Sequence, residues 1–281
     1  MSPSQLEGFD LDRFVRETLA EDLGSGGDIT SAAVIPESAR FTGVMDSRDE
    51  IVVAGLWIAE AFFRALDLDV MIETLVEDGQ RVGAGTDLMR LSGKARALLT
   101  AERSALNTVQ HLSGIATLTR HYVDAIAGTG ATLLDTRKTI PGLRVLEKYA
   151  VRMGVGTNHR MRLDDAAMIK DNHIAVAGSV SEAVRRARSA GIERIIVEVD
   201  RLDQIEPAIA AGATHLLLDN MGPAVLRDAV TQVAGRVPTE ASGGVTLETI
   251  ADLARSGVTY LSVGRITQSA PAADIGLDFV L

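Results

Sequence analysis

Two adjacent cations in a stretch of turn-formers, Thr136-Arg137-Lys138-Thr139-Ile140-Pro141-Gly142, are the first residues of this chain arranged for chemistry. The stretch follows an apolar run that reads as a strand, and a helical pattern follows it. Such a loop can hold an anion with backbone amides, a helix N-terminus and two fixed charges. His159 and Arg160 come after a glycine-bearing stretch, Gly154-Val155-Gly156, and add donors for carboxylates or phosphates. Lys170 closes a third apolar run and precedes Asp171, Asn172 and His173. It reads either as an anion ligand or as the partner of a neighbouring acid. Glu198 and Asp219 end two further runs, where two carboxylates can hold magnesium or ribose hydroxyls. Capping and salt bridging are the plainer uses of acids at such junctions. The small-residue loops 240–244 (EASGG) and 262–269 (SVGRITQS) let backbone amides approach a phosphate.

Charge and composition narrow the chemistry. The formal net charge is −10, yet residues 137–170 carry eight Lys/Arg against three acids, a +5 island in a negative chain. That pattern suggests a site for a small polyanion rather than nucleic acid, with solvated helix faces as the plainer alternative. Only four lysines occur, Lys94, Lys138, Lys148 and Lys170, so two of the four fall in the motifs above. With no cysteine, disulfides, thiolate metal sites and a cysteine nucleophile are excluded. The five histidines, His111, His121, His159, His173 and His215, show no metal-ligand spacing, and no Ser-His-Asp arrangement stands out. The N-terminal stretch lacks the basic and apolar regions of a signal peptide, and no apolar run reaches membrane-spanning length. A cytoplasmic protein is expected.

The elements that must position these residues change character along the chain. Residues 10–22 read as an amphipathic helix. Residues 41–99 mix short strands, glycine turns and one helical stretch, and residues 98–127 read as a long helix broken near Gly114. From Thr132 onward, apolar runs at 132–135, 167–172, 194–200, 215–220, 238–243 and 260–264 alternate with helical stretches. Repeating βα units predict a parallel sheet with right-handed crossovers. Six such strands favour an open, incomplete α/β barrel over a doubly wound sheet. In a barrel the carboxyl ends of the strands form the active face. Arg137, Lys138, Lys170, Glu198, Asp219, Ser242, Gly243 and Gly264 all fall at those ends.

Taken in order, EDLGSGGDIT (21–30), AERSALNTVQHLSGIAT (101–117), LLDTRKTIPGLRVLEKYAVR (133–152), NHR (158–160), IKDNH (169–173), EASGG and SVGRITQS closely resemble the quinolinate phosphoribosyltransferase family. The likeness covers nearly the whole chain. It implies an open α/β barrel over 113–265 and a mixed α/β N-terminal domain over 1–112, completed by the C-terminal tail 266–281. It also implies a pentosyltransferase of NAD biosynthesis that uses Mg2+, and a homodimer with shared active sites. By the same resemblance Arg137, His159, Arg160 and Lys170 are ligands of the two quinolinate carboxylates, with Arg103 lent by the neighbouring subunit. Lys138 is a phosphoribosyl pyrophosphate ligand, Glu198 and Asp219 are the ribose and magnesium carboxylates, and Ser242, Gly243 and Gly264 cradle the 5′-phosphate.

Two positions depart from the family pattern. Val155 interrupts what is often a run of glycines, and Gln268 stands where many members have histidine. Two other readings share the fold: a related protein of molybdenum-uptake systems, and a non-catalytic metabolite binder. The intact NHR and KDNH motifs argue against the first, and Lys138, Glu198 and Asp219 argue against the second.

Overall fold

The computed structural model describes residues 6–280 and divides into two compact units. The first unit takes the chain up to residue 118, then 145–155 and the segment from 269 on. The second takes 119–144 and 156–268. In chain order the first stretch holds α1 (Leu11–Leu23), α2 (Ile29–Val34), β1 (Arg40–Ser47), β2 (Ile51–Val52), α3 (Leu56–Leu66), β3 (Met71–Thr74), β4 (Arg81–Val82), β5 (Thr86–Lys94) and α4 (Ala95–Ala125). Then come β6 (Thr132–Leu134), α5 (Arg144–Met153), β7 (Ala167–Ile169), α6 (Asp171–Ala177), α7 (Val180–Ser189), β8 (Ile195–Val199) and α8 (Ile205–Ala211). The chain ends with β9 (His215–Asp219), α9 (Pro223–Val233), β10 (Thr239–Ser242), α10 (Ile250–Ala254), β11 (Tyr260–Ser262), α11 (Arg265–Gln268) and β12 (Ile275–Val280).

The first unit is built on an antiparallel sheet of order β12-β1-β5-β3. The C-terminal strand therefore completes the N-terminal sheet, running antiparallel from Thr42↔Val280 to Ser47↔Ile275. Helix α3 buries Leu56, Ile58, Ala59, Phe62 and Phe63, the one-sided spacing of a helix that covers a core. Its first free amides, on Gly55 and Leu56, donate to the carboxylate of Asp78 at 2.7 and 3.2 Å. The Tyr149 hydroxyl donates to the same carboxylate at 2.5 Å, and Glu147 Oε1 meets His111 Nε2 at 3.0 Å. These contacts draw residues 145–155 into the first unit, whereas the sequence reading assigned them to the barrel. Glu147 and Lys148 are fully buried there, so part of the positive island is structural.

Helix α4 corrects a second expectation: it runs unbroken through Gly114. A Cβ at that position would lie 2.0 Å from the carbonyl oxygen of Pro271. The glycine lets the C-terminal segment cross the helix closely, and α4 accepts its modest helix cost, about 1 kcal/mol against alanine.

The second unit is a six-stranded parallel sheet of order β6-β11-β10-β9-β8-β7. That is the circular order of an α/β barrel opened between its first two strands. Ile195, Ile196 and Val197, like Leu216, Leu217 and Leu218, are buried without alternation, as strands covered on both faces should be. Helix α8 stops at left-handed Gly212 as expected, but α9 stops at Ala234, which itself takes φ 52° one residue before Gly235. Among the described residues, no helix is long and apolar enough to cross a membrane.

Candidate active site

All the site residues expected from the sequence lie in the second unit except Arg103, which is exposed on α4 in the first. The two-residue period of a strand aligns those that lie on β8, β9 and β10. Register pairs Glu198 with Leu217, Leu217 with Glu240, and Asp219 with Ser242, so these side chains share one face of the sheet. Lower on that face, Ile196 and Leu217 pack with Ala166 and Met168 as an apolar floor. Lys170, one residue beyond β7, extends the same alternation. Its ammonium pairs with the Glu198 carboxylate. Of the two uses the sequence left open for Lys170, the structure shows the acid partner.

The 136–142 loop is held from three sides. The Lys138 amide donates to Thr136 Oγ1 at 3.0 Å, and buried Thr267 donates its hydroxyl to the Lys138 carbonyl at 2.8 Å. Arg144 reaches from Thr139 Oγ1 (3.1 Å) to the carbonyl of Met161 (3.3 Å), which ties this loop to the one carrying His159 and Arg160. The stem of Lys138 crosses Gly264 so closely that a Cβ there would sit 2.7 Å from Lys138 Cδ. Gly264 thus gives the lysine its path.

Two buried carboxylates shape the 158–160 segment. Asp135, at the end of β6, accepts from Asn158 Nδ2 at 2.6 Å and from the His159 amide at 2.8 Å. Glu240, within β10, takes His159 Nε2 at 3.2 Å. The other ring nitrogen, Nδ1, lies 2.7 Å from the Arg160 amide. A backbone N–H can only donate, so Nδ1 is unprotonated and Nε2 carries the proton. His159 is 8% exposed and spends both nitrogens on protein groups. The family resemblance implies a ligand of quinolinate at this position; here the two ring nitrogens face Glu240 and the Arg160 amide.

Arg160 anchors one end of its guanidinium on the Ala166 carbonyl at 3.0 Å. Burial, and then the positive charge of Arg137, hold its pKa below the usual arginine value. Among the described residues, the Nε of Arg137 is itself buried without a hydrogen-bond partner. Two cations close enough to repel, one with an idle donor, form a place that an anion would stabilise.

At the next strand end, Gly243 has φ +92° and a Cβ there would meet Asn220 Oδ1 at 2.1 Å. Asn220, also left-handed at φ 55°, accepts no substitute easily, since its amide donates to Asp219 Oδ2 at 2.6 Å and its N–H to the Ser242 carbonyl at 2.8 Å. Asn220 and Glu240 were given no role from the sequence, and Asp135 was placed at the active face of the barrel without one. The Asp-Asn pair closing an apolar run was the available sign for Asn220; nothing local marks Glu240. Among the described residues no three acid or histidine groups converge as a metal cage. Glu198 and Asp219 remain as a carboxylate pair on one face, enough for a magnesium ion held mainly by substrate phosphates and water.

Nearly the whole chain is similar to known proteins. Residues 28–113 match the N-terminal domain of the quinolinate phosphoribosyl transferase family and residues 115–278 match its C-terminal domain. A nicotinate-nucleotide pyrophosphorylase [carboxylating] of Mycobacterium leprae is 46% identical over 272 residues, covering 94% of this chain and 95% of that protein. A probable nicotinate-nucleotide pyrophosphorylase [carboxylating] of Bacillus subtilis is 41% identical, covering 96% and 94%. The solved nicotinate-nucleotide pyrophosphorylase of Francisella tularensis superposes with a TM-score of 0.92 at 40% identity, over 98% of this chain and 99% of that one. The chain belongs to the quinolinate phosphoribosyltransferase family.

Proposed function

We propose that this protein transfers phosphoribosyl from phosphoribosyl pyrophosphate to quinolinate and releases nicotinate mononucleotide, pyrophosphate and carbon dioxide. The observation that carries the reading is the Arg137–Arg160 pair, with its mutual repulsion and the idle Arg137 Nε. A pyridine dicarboxylate satisfies both guanidinium groups at once, and Lys170 stands ready to exchange Glu198 for a substrate carboxylate.

With quinolinate held there, Lys138 and the small-residue loops at Ser242, Gly243 and Gly264 hold the phosphates, and Glu198 and Asp219 hold the ribose hydroxyls. The C–O bond to pyrophosphate breaks, and the ring nitrogen forms the new bond to the anomeric carbon. That nitrogen becomes cationic. The C–C bond to the adjacent carboxylate then breaks, the electron pair stays on the ring carbon beside the cation, and that carbon takes a proton. No protein nucleophile is needed; positioning and fixed charge supply the catalysis. Magnesium, held at Glu198 and Asp219, would neutralise charge on the departing pyrophosphate.

The reading includes a cytoplasmic homodimer in which Arg103 serves the partner's site, as the family resemblance implies. The test is to incubate the protein with quinolinate, phosphoribosyl pyrophosphate and magnesium, and to measure carbon dioxide and nicotinate mononucleotide. Nicotinate should be a poor substitute, because one carboxylate leaves a desolvated cation unpaired. Equal turnover of the two acids would rule the reading out.

A further inference from the structure

One fully buried charge within the parallel sheet is not used by the reaction as described. Glu240 is fully buried within β10, on the face that carries Ser242 two residues later. Its Oε2 meets His159 Nε2 at 3.2 Å and His215 Nε2 at 3.0 Å. The His215 contact is off the angle of a hydrogen bond, and its ring is stacked on Tyr260 with centroids 5.5 Å apart. The hydrogen bond that counts is therefore the one to His159. A carboxylate in such a place is costly unless its charge is used. This one also leaves Oε1 without a hydrogen-bond partner. A carboxylate present only to fill the core would be replaced by an apolar side chain at no loss.

What Glu240 does can be traced outward. Its charge holds the proton on His159 Nε2, which leaves Nδ1 bare, and Nδ1 receives the amide of Arg160. Asp135 fixes the backbone just before, through Asn158 and the His159 amide. We infer that Glu240 is a positioning residue for the dicarboxylate substrate, acting through the tautomer of His159 to set the backbone from which Arg160 reaches that substrate. The inference rests on the reading that Arg160 binds a quinolinate carboxylate. It predicts a defect confined to one substrate, because Lys138, Asp219 and Ser242 are anchored independently of His159.

Three measurements test it. In the enzyme labelled with 15N-histidine, the ring signals lost in His159→Gln should show a neutral ring protonated on Nε2. A ring protonated on Nδ1 would overturn the inference. In kinetics, Glu240→Met should raise the quinolinate KM by about tenfold, the scale of one lost hydrogen bond to a charged group, with the phosphoribosyl pyrophosphate KM unchanged. Glu240→Gln, which can still accept from Nε2, should recover part of the loss. Equal rises in both KM values would mean a merely structural carboxylate. In the His159→Gln background, Glu240→Gln should add nothing, since both act on one relay; additive effects would break the link. If Glu240→Met does not fold, the histidine spectrum and the KM split of Glu240→Gln still decide. Wild-type enzyme that ignores quinolinate would sink the functional reading instead, and the tautomer would be read regardless.

Discussion

The Lys170 ammonium is paired with the Glu198 carboxylate across the carboxyl ends of β7 and β8. One residue is assigned to quinolinate and the other to ribose, so without substrates each neutralises the other. On the reading that quinolinate takes the Lys170 ammonium, it competes there with Glu198. The Lys170 side chain is 46% exposed, so the pair is solvent-screened and worth about 0.2–1 kcal/mol.

Glu198→Gln should therefore tighten quinolinate binding in the absence of the second substrate, by about two- to fivefold, the scale of a solvent-screened pair. The same change should lower kcat/KM for phosphoribosyl pyrophosphate, because a ribose ligand is lost. Titration calorimetry and steady-state kinetics check the two halves. Weaker quinolinate binding in the variant would show that Glu198 supports that site rather than competing for Lys170.

Gly264→Ala places a Cβ 2.7 Å from Lys138 Cδ and 3.3 Å from Thr136 Oγ1. The first clash is with a flexible stem that can swing away, so stability should change little while Lys138 is pushed from its path. The KM for phosphoribosyl pyrophosphate should rise, in the direction of Lys138→Ala, for which lost charge stabilisation of about 2–4 kcal/mol is expected. Gly243→Ala differs: its Cβ meets Asn220 Oδ1 at 2.1 Å at φ +92°, so the melting temperature should fall as well. A Gly264→Ala enzyme with unchanged kinetics would argue that Lys138 binds nothing.

Glu240 also controls acid stability. Burial pushes its carboxyl up, but the hydrogen bond from His159 and the nearby Nε2 of His215 outweigh that and bring it down to about 2 from 4.5. A carboxylate depressed by folding stabilises the native state above its unfolded value, and that contribution disappears as pH falls through the folded one. The stability difference between wild type and Glu240→Gln should thus be constant above about pH 4.5 and shrink toward about pH 2. Urea unfolding at stepped pH measures it; a difference independent of pH would contradict the assignment.

Val155 is 59% exposed and sits at φ 66°, a conformation that suits glycine and strains a β-branched residue. Val155→Gly should raise the urea midpoint, gaining about 1 kcal/mol once the added freedom of the unfolded chain is subtracted. A lower midpoint would mean that Val155 is held by contacts stronger than its strain.

Arg103 and Lys138 test the shared site. If Arg103 serves the partner subunit, Arg103→Ala and Lys138→Ala are each inactive alone, but a mixed dimer has one site with both lesions and one with neither. Co-refolding the two should restore about a quarter of wild-type activity for random pairing. A mixture as inactive as its parents, with subunit exchange demonstrated, excludes an Arg103 that acts across the interface.

Local pattern determined much of this protein. Short, mostly apolar runs ending in polar or charged residues located all six parallel strands, because a strand buried on both faces is mainly apolar and its exposed end need not be. That placed Lys170, Glu198, Asp219 and Ser242 at the right ends. The tertiary structure alone decided which groups meet. His159 and Glu240 are 81 residues apart, and no local rule says that one donates a hydrogen bond to the other. The same holds for Gly114, which reads as a helix break and is instead the crossing point of a segment more than 150 residues later. Residues 145–155 read as part of the barrel and join the first unit because Asp78 and His111 supply partners for Tyr149 and Glu147. Periodicity reports burial, which a residue shares with its neighbours in sequence. Partnership depends on chain segments brought together by the fold, and the pattern around each residue carries no record of them.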